Sequence, residues 1–406
     1  MKPKTIPALV LSLALLPYSA LAGDTKSAPA KLPAPADRAN RIAFTFYAKE
    51  ARHPGNIFFS PYSMDTAFAM AYEGARGRTA AEMGKVFGFD KDHAAARAGV
   101  EALAKDVAAA AQGSEFVQAN SFWAQQDFKF LPDYTKALQD SYGAEARSVN
   151  FKTDTENARK AVNSWTEEKT KGKIKDLFAE GALSPLTRLV LVNAVYFKGQ
   201  WENAFPKALT SDANFTLTSG AKIKTPLMTF SEDTDLEYGE APGLQLLRLP
   251  YKGGSLAMLL ALPKDKKNMS GLEKALTGDK LDSLRKALEK QKVKVYLPRF
   301  TFSSTFQLNS TLAGLGMPAA FTDAADFSGM DGSKRLFIQK AVHKAFVEVN
   351  EEGTEAAAAT GVAMGLKSMA FDIPEFRADR PFLFFIEDTK TGVVLFMGRM
   401  EDPSKQ

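Results

Sequence analysis

Few residues in this 406-residue chain are spaced for covalent chemistry. Ser283-Leu-Arg-Lys286 has the Ser-x-x-Lys interval used by some serine acylases. Its expected companion motifs are absent, and the pattern around it is a charged amphipathic helix, so it reads as a solvated face. Cysteine is absent altogether, which excludes a thiolate nucleophile, a thiolate ligand and any disulfide. His53, His93 and His343 lie far apart, and none has zinc-type spacing. No Gly-x-Ser-x-Gly elbow and no phosphate-binding glycine loop occurs. The residues therefore predict no catalytic group, no metal, no cofactor and no enzyme.

A different kind of site is suggested late in the chain. Gly353 to Met364 (GTEAAAATGVAM) consists almost entirely of small residues and opens a long aperiodic stretch that ends near Phe382. Structureless loops longer than ~12–15 residues are uncommon in compact domains, and are usually functional or disordered. An Ala-rich helix is the competing reading, because Ala is the best helix former.

The elements that must position this stretch differ between the two halves of the chain. The first half is helical. Asp37 could cap a helix through Tyr47, followed by helices over Ser63–Ala75, Thr79–Val86, His93–Ala111, Pro132–Tyr142 and Glu156–Lys171, with a strand over Phe116–Ala124. Leu189 to Phe197 (LVLVNAVYF) is a near-continuous apolar run, as a strand buried on both faces requires. Strands then dominate: Phe215–Leu217, Thr225–Phe230, Leu244–Pro250, Ser255–Leu262, Val293–Phe302, Phe337–Val349, Phe382–Glu387 and Val393–Met400. One helix, Leu272–Lys290, interrupts them. The class is α+β, and no second domain or repeat is visible.

The N-terminus reads as an export signal, with Lys2 and Lys4, an apolar run over Ile6–Leu16, and cleavage after Ala22 in Ala20-Leu21-Ala22. An uncleaved anchor is the alternative, although the run is short and interrupted by Pro7 for a span of ~20 residues. Residues 23–36 are a Pro- and Ala-rich tether, and 37–406 one domain. The mature protein is expected in a periplasm or outside the cell. Its 50 basic and 47 acidic residues leave a charge near +3. They are interspersed, which argues against nucleic acid or a membrane surface as partner. About 370 residues can bury a large core without disulfides.

Six stretches, in order, resemble one family. Asn56-Ile-Phe-Phe-Ser60-Pro61-Tyr-Ser63 is similar to the strand-to-helix motif of the serpins. Asn163-Ser-Trp165 through Thr170-Lys-Gly172-Lys173-Ile174-Lys-Asp-Leu177 is similar to their helix-F segment. Asn193-Ala-Val-Tyr-Phe197-Lys-Gly199-Gln-Trp201, with Phe205, resembles their central strand and breach. His343-Lys-Ala-Phe346-Val-Glu-Val-Asn350-Glu-Glu-Gly353-Thr354-Glu-Ala-Ala-Ala-Ala-Thr360 resembles the hinge of their reactive loop. Asp379-Arg-Pro381-Phe382 and Gly392-Val-Val-Leu-Phe-Met-Gly398-Arg399 resemble their last strands.

The resemblance implies a large central β-sheet with helices on one side, smaller sheets, and an exposed reactive centre loop at about 351–376. It further implies a secreted bacterial member that traps a serine protease as a suicide substrate. The protease esterifies the loop, and the cut loop inserts into the sheet and distorts the enzyme. The residues agree with this. In a strand, Thr354, Ala356, Ala358 and Thr360 share one face, and none is charged. Glu355, Ala357 and Ala359 fall on the other. No proline lies between Gly353 and Met364. By resemblance, Glu351, Glu352 and Gly353 complete the hinge. Ser60, Ser63, Asn193 and His343 form a polar cluster under the sheet, and Trp201 packs where the loop enters.

In the family the scissile bond usually lies sixteen residues after the first hinge Glu, which gives Lys367-Ser368 and a trypsin-like partner. Counting back from Pro381 points nearer Ala370. Leu366, Met369 and Phe371 would instead suit chymotrypsin- or elastase-like enzymes. Also open is a non-inhibitory serpin that acts as a binding or chaperone-like protein. A monomer is expected, with loop-sheet polymers as its failure mode.

Overall fold

A computed structural model describes residues 35–266, 268–354 and 373–405. Within the chain, Pro33–Gln406 form one compact unit. The helices are α1 (Pro35–Glu50), α2 (Pro61–Gly74), α3 (Gly77–Phe87), α4 (His93–Ala110), α5 (Pro132–Tyr142), α6 (Thr155–Lys169), α7 (Met269–Ala275), α8 (Gly278–Arg285), α9 (Leu308–Leu315) and the single turn α10 (Ser328–Asp331). The strands are β1 (Ile57–Phe59), β2 (Glu115–Gln125), β3 (Glu145–Val149), β4 (Leu189–Gln200), β5 (Ser211–Thr216), β6 (Lys222–Thr229), β7 (Thr234–Ala241), β8 (Leu244–Pro250), β9 (Leu256–Pro263), β10 (Glu289–Pro298), β11 (Phe300–Gln307), β12 (Lys340–Asn350), β13 (Gly353–Thr354), β14 (Glu375–Arg377), β15 (Phe382–Asp388) and β16 (Val394–Met400).

Two sheets organise the unit. Six strands run in the order β11-β12-β13-β4-β2-β3, and the strands β1-β16-β15-β9-β8-β7-β10-β6-β5 form the second sheet, with β14 beside β10. Strand β4 carries the apolar run and is covered on both faces. Val190, Val192 and Ala194 pack with Trp165 of α6, Trp123 of β2 and the segment Ile174–Phe178. Leu189 and Leu191 pack with α2 on the opposite face, and Val195 and Phe197 with the second sheet. That double burial explains why the sequence does not alternate there. Helix α2 starts where Ser60 Oγ accepts the Ser63 N–H (3.0 Å), with Pro61 at a position that needs no donor.

Three readings need correction. Pro35 and Ala36, assigned to the tether, open α1. The continuous helix over Leu272–Lys290 is instead two helices and the start of a strand. Thr277 Oγ1 accepts the Lys280 N–H (3.2 Å) and restarts the helix, while Glu289 and Lys290 already pair with Tyr238 and Glu237 of β7. The strand over Val293–Phe302 is two strands parted at Arg299, because β10 joins the second sheet and β11 the first.

Candidate functional site at the β4–β12 seam

The two middle strands of the six-stranded sheet are parallel neighbours only along part of their length. Their ladder runs from Lys340 opposite Val190 to Phe346 opposite Tyr196. Above that level the seam forks, and β13 occupies the fork. It is antiparallel to both neighbours, with Thr354 opposite Val349 on one side and Gly199 on the other. A two-residue strand is therefore already seated in the gap.

The local turn follows from Asn350, whose Oδ1 accepts the N–H groups of Glu352 (3.0 Å) and Gly353 (3.2 Å) and reverses the chain. Gly353 is required by close approach, since a Cβ there would lie 2.0 Å from the Gly199 carbonyl oxygen. Trp201 clamps the turn from the other side. Its indole N–H donates to the Asn350 carbonyl (3.0 Å), and its backbone N–H to the Glu352 carbonyl (3.0 Å). The Phe205 N–H donates to the Glu351 carbonyl (2.8 Å). Trp201 also stacks on Tyr251, with ring centres 4.6 Å apart, and the Tyr251 hydroxyl meets the Thr354 hydroxyl at 2.6 Å in a fully buried contact. Burial pushes the Tyr251 phenol well above its ordinary range, so it stays a neutral partner. The two hinge carboxylates are held outside the sheet. Glu351 accepts from the Thr210 hydroxyl (2.8 Å) and faces Arg299 at 3.6 Å, and Glu352 pairs with Lys207 at 2.6 Å.

Below the fork the seam is crossed by a polar cluster. His343 and Asn193 are direct partners in the β12–β4 register, and Asn120 stands opposite Asn193 on β2. The Ser60 N–H donates to His343 Nε2 (3.0 Å). That nitrogen accepts, so Nδ1 carries the proton and donates to Asn193 Oδ1. Asn193 Nδ2 donates to Ser63 Oγ (2.6 Å), to the Ser63 carbonyl (3.1 Å) and to Asn120 Oδ1. The Ser60 hydroxyl donates to the Leu395 carbonyl of β16 (2.5 Å). One network thus ties α2, β12, β4, β2 and β16 together. Burial lowers the His343 pKa to about 3, against a small opposing effect of Asn193, so the ring is neutral.

The family described as serpin (serine protease inhibitor) matches residues 37–403. The chain is a serpin. Among its relatives, an uncharacterized serpin-like protein of Thermococcus kodakarensis is 40% identical over 368 residues, covering 90% of this chain and 84% of its own. Human leukocyte elastase inhibitor is 40% identical over 368 residues, covering 88% of this chain and 96% of its own. Among solved structures, Serpin48 of the insect Tenebrio molitor superposes with a TM-score of 0.82 at 31% identity, covering 91% of this chain and 97% of that one.

Serine protease inhibition is thus the family activity. Two expectations change. The bare statement that the chain is no enzyme is corrected, because the family description and the relatives' names give a positive one, inhibitor of serine proteases. The reading of a bacterial, secreted member finds no support in these relatives, which come from an archaeon and mammals.

The residues singled out in this serpin are distributed as follows. Ser60, Ser63, Asn193 and His343 meet in one network, and Trp201 touches the hinge at Asn350 and Glu352. Glu351 to Thr354 form the turn and β13. Glu355 to Thr360, Lys367 and Ser368 lie outside the described residues, as does the signal segment. The Ser283 hydroxyl donates to the Asp279 carbonyl (2.8 Å) on an exposed helix face. Sequence reasoning missed Asn120, Tyr251 and Asn350. Asn120 could have been found as a buried amide on the β2 face that also carries Phe116, Phe122 and Ala124. Tyr251 carried no local signal, because its partner is far along the chain.

Proposed function

We propose that this serpin inhibits a trypsin-like serine protease by inserting its cleaved loop between β4 and β12. The observation that carries the reading is β13, already placed in the fork and antiparallel to both neighbours. Extending its register downward defines the inserted strand. Ala356 would stand level with Val347 and Phe197, Ala358 with Ala345 and Val195, and Thr360 with His343 and Asn193. Met364 would reach Leu189, the first residue of β4.

Three things follow from that register. Inward positions take Thr, Ala, Ala and Thr, so no charge is buried. Insertion must unzip the β4–β12 ladder and separate His343 from Asn193. At that level it supplies the Thr360 hydroxyl, which can accept from His343 Nδ1 and donate to Asn193 Oδ1, so neither group is left unsatisfied. A bond at Lys367-Ser368 lies three residues beyond the level of Leu189, where β4 begins, so cleavage there would free a strand that spans the sheet. At about 3.3 Å per residue, Thr354 to Lys367 reaches roughly 45 Å, about the diameter of a protease. An acyl-enzyme carried that far loses the register of its triad and oxyanion hole, and the ester stalls. About a dozen strand residues, each worth ~0.5–1.5 kcal/mol per net hydrogen bond, supply on the order of ten kcal/mol. The native form is then a kinetic trap.

The test is a denaturing gel of this serpin with trypsin. A detergent-resistant complex at roughly one inhibitor per enzyme is expected, and Lys367→Ala should abolish it. Clean loop cleavage with fully active trypsin would overturn inhibition, and an undiminished complex from Lys367→Ala would overturn that bond. Residues 1–22 are proposed as the export signal. N-terminal sequencing of exported protein should begin at Gly23, and an intact Met1 would reject it.

A further inference from the structure

A second site emerges on the far side of α2, away from the seam. Helix α3 turns four small residues, Gly77, Ala80, Ala81 and Gly84, to one face through their i, i+3, i+4, i+7 spacing. They form one wall of a cleft of about 510 Å³, a size that suits a small ligand. A Cβ built on Gly84 would project toward the Phe89 carbonyl (3.4 Å) and the Tyr72 hydroxyl (3.6 Å), so larger side chains on this face would begin to fill the space.

The floor is aromatic. Tyr72 stacks on His93 with ring centres 4.6 Å apart and planes 10° apart, and it also packs against Phe89 at 5.0 Å. His93 brings an unmet polar atom. Its Nδ1 is buried and has no hydrogen-bond partner among the described residues. Burial, and then the positive charge of Arg76, hold this imidazole below its ordinary range, with Arg97 acting in the same direction and Glu73 and Asp92 opposing.

The rim is cationic. Among the described residues the Arg76 guanidinium donates to the backbone carbonyls of Glu73 (2.9 Å) and Ala75 (2.8 Å), and the neighbouring Glu73 is taken by Arg97. Lys85 and Lys91 are exposed, and neither has a carboxylate partner among the described residues. Three cations without an ion-pair partner among the described residues therefore surround an apolar slot that has one unsatisfied nitrogen, with Asp90 and Asp92 nearby in sequence.

We propose that the cleft between α2, α3 and the start of α4 binds a small amphipathic anion, its apolar body against Tyr72 and the α3 face and its carboxylate or sulfonate toward Arg76, Lys85 and Lys91. The site is independent of the reactive loop. A bound anion offsets the field of the three cations and draws a proton toward His93.

The probe is 1-anilinonaphthalene-8-sulfonate, titrated by fluorescence into the intact chain, with uncharged N-phenyl-1-naphthylamine as its matched control. Saturable binding is expected, with a shift of the His93 imidazole resonances at saturation. Ala81→Trp, at an exposed position, should abolish the saturable phase by filling the slot. Lys85→Glu with Lys91→Glu should weaken the sulfonate about tenfold, the sum of two reversed surface pairs, and leave the uncharged probe unchanged. Both variants should form protease complexes like the parent, which shows that they fold. The proposal is overturned by the absence of saturable binding at millimolar probe, by unchanged affinity in Ala81→Trp, or by an equal response of both probes to the lysine reversals.

Discussion

The lower and upper parts of the β4–β12 seam are held in opposite ways. Below, a parallel ladder from Lys340 to Phe346 joins the strands, and His343, Asn193, Ser63 and Asn120 cross it as a buried network. Above, the strands part, and the gap is filled by two residues, Gly353 and Thr354, held by Tyr251 and the Trp201 clamp. The lower part is a lock whose polar groups satisfy one another. The upper part is a fork in which Gly353 and Thr354 already pair with both strands. On the proposed mechanism, insertion would start at Thr354 and move down, with its resistance at the level of His343.

The contrast is broken most severely at its upper end. Thr354→Arg places an ion in a buried site against Tyr251, a cost of several kcal/mol. Insertion should fail, and inhibitor consumed per trapped protease should rise at least 100-fold, measured by residual-activity titration. Trapping at the parental ratio would show that the loop does not enter at Thr354.

Breaking the lock should have a smaller and opposite effect. Asn193→Ala leaves His343 Nδ1, Ser63 Oγ and Asn120 Oδ1 without their partner, at about 1–3 kcal/mol for each buried group left unsatisfied. Native stability should fall, and heat-induced polymer should form faster on native gels. A variant that matches the parent in both would remove the network from the account.

Acid sharpens the same point more gently. Folded His343 takes up a proton only near pH 3, whereas an unfolded histidine does so near 6.5. Between those values the unfolded chain holds more protons, so this group's contribution is complete above about pH 6.5 and is lost as pH falls toward about 3. The slope is at most ~1.4 kcal/mol per pH unit. His343→Gln should flatten the decline in urea midpoint between pH 6.5 and 4. An unchanged slope would assign the acid sensitivity to other groups.

Much of this architecture was legible in the sequence for identifiable reasons. Helix α5 runs from Pro132 to Tyr142 as read, because Pro132 marks its first turn and Gly143, in the left-handed conformation, its end. The apolar run of β4 announced a strand covered on both faces. Strands β3 and β7 were missed, since Glu145–Val149 and Thr234–Ala241 are largely polar and are fixed by pairing rather than by pattern. At the candidate site, the residue types of the cluster were visible through family resemblance. The tautomer of His343, the place of Asn120 and the seating of β13 were not, because each depends on partners more than seventy residues away.

On the proposed mechanism, the segment after Thr354 becomes a full strand between β4 and β12. The most direct test is to nick the loop with a protease that cuts near Lys367 without being trapped, and then to follow thermal unfolding. On the order of ten kcal/mol of new pairing should raise the midpoint by roughly 10–15 °C, with the loop fragment retained and amides of β4 and β12 exchanging more slowly. A nicked protein that melts at or below the temperature of the intact chain would contradict the account.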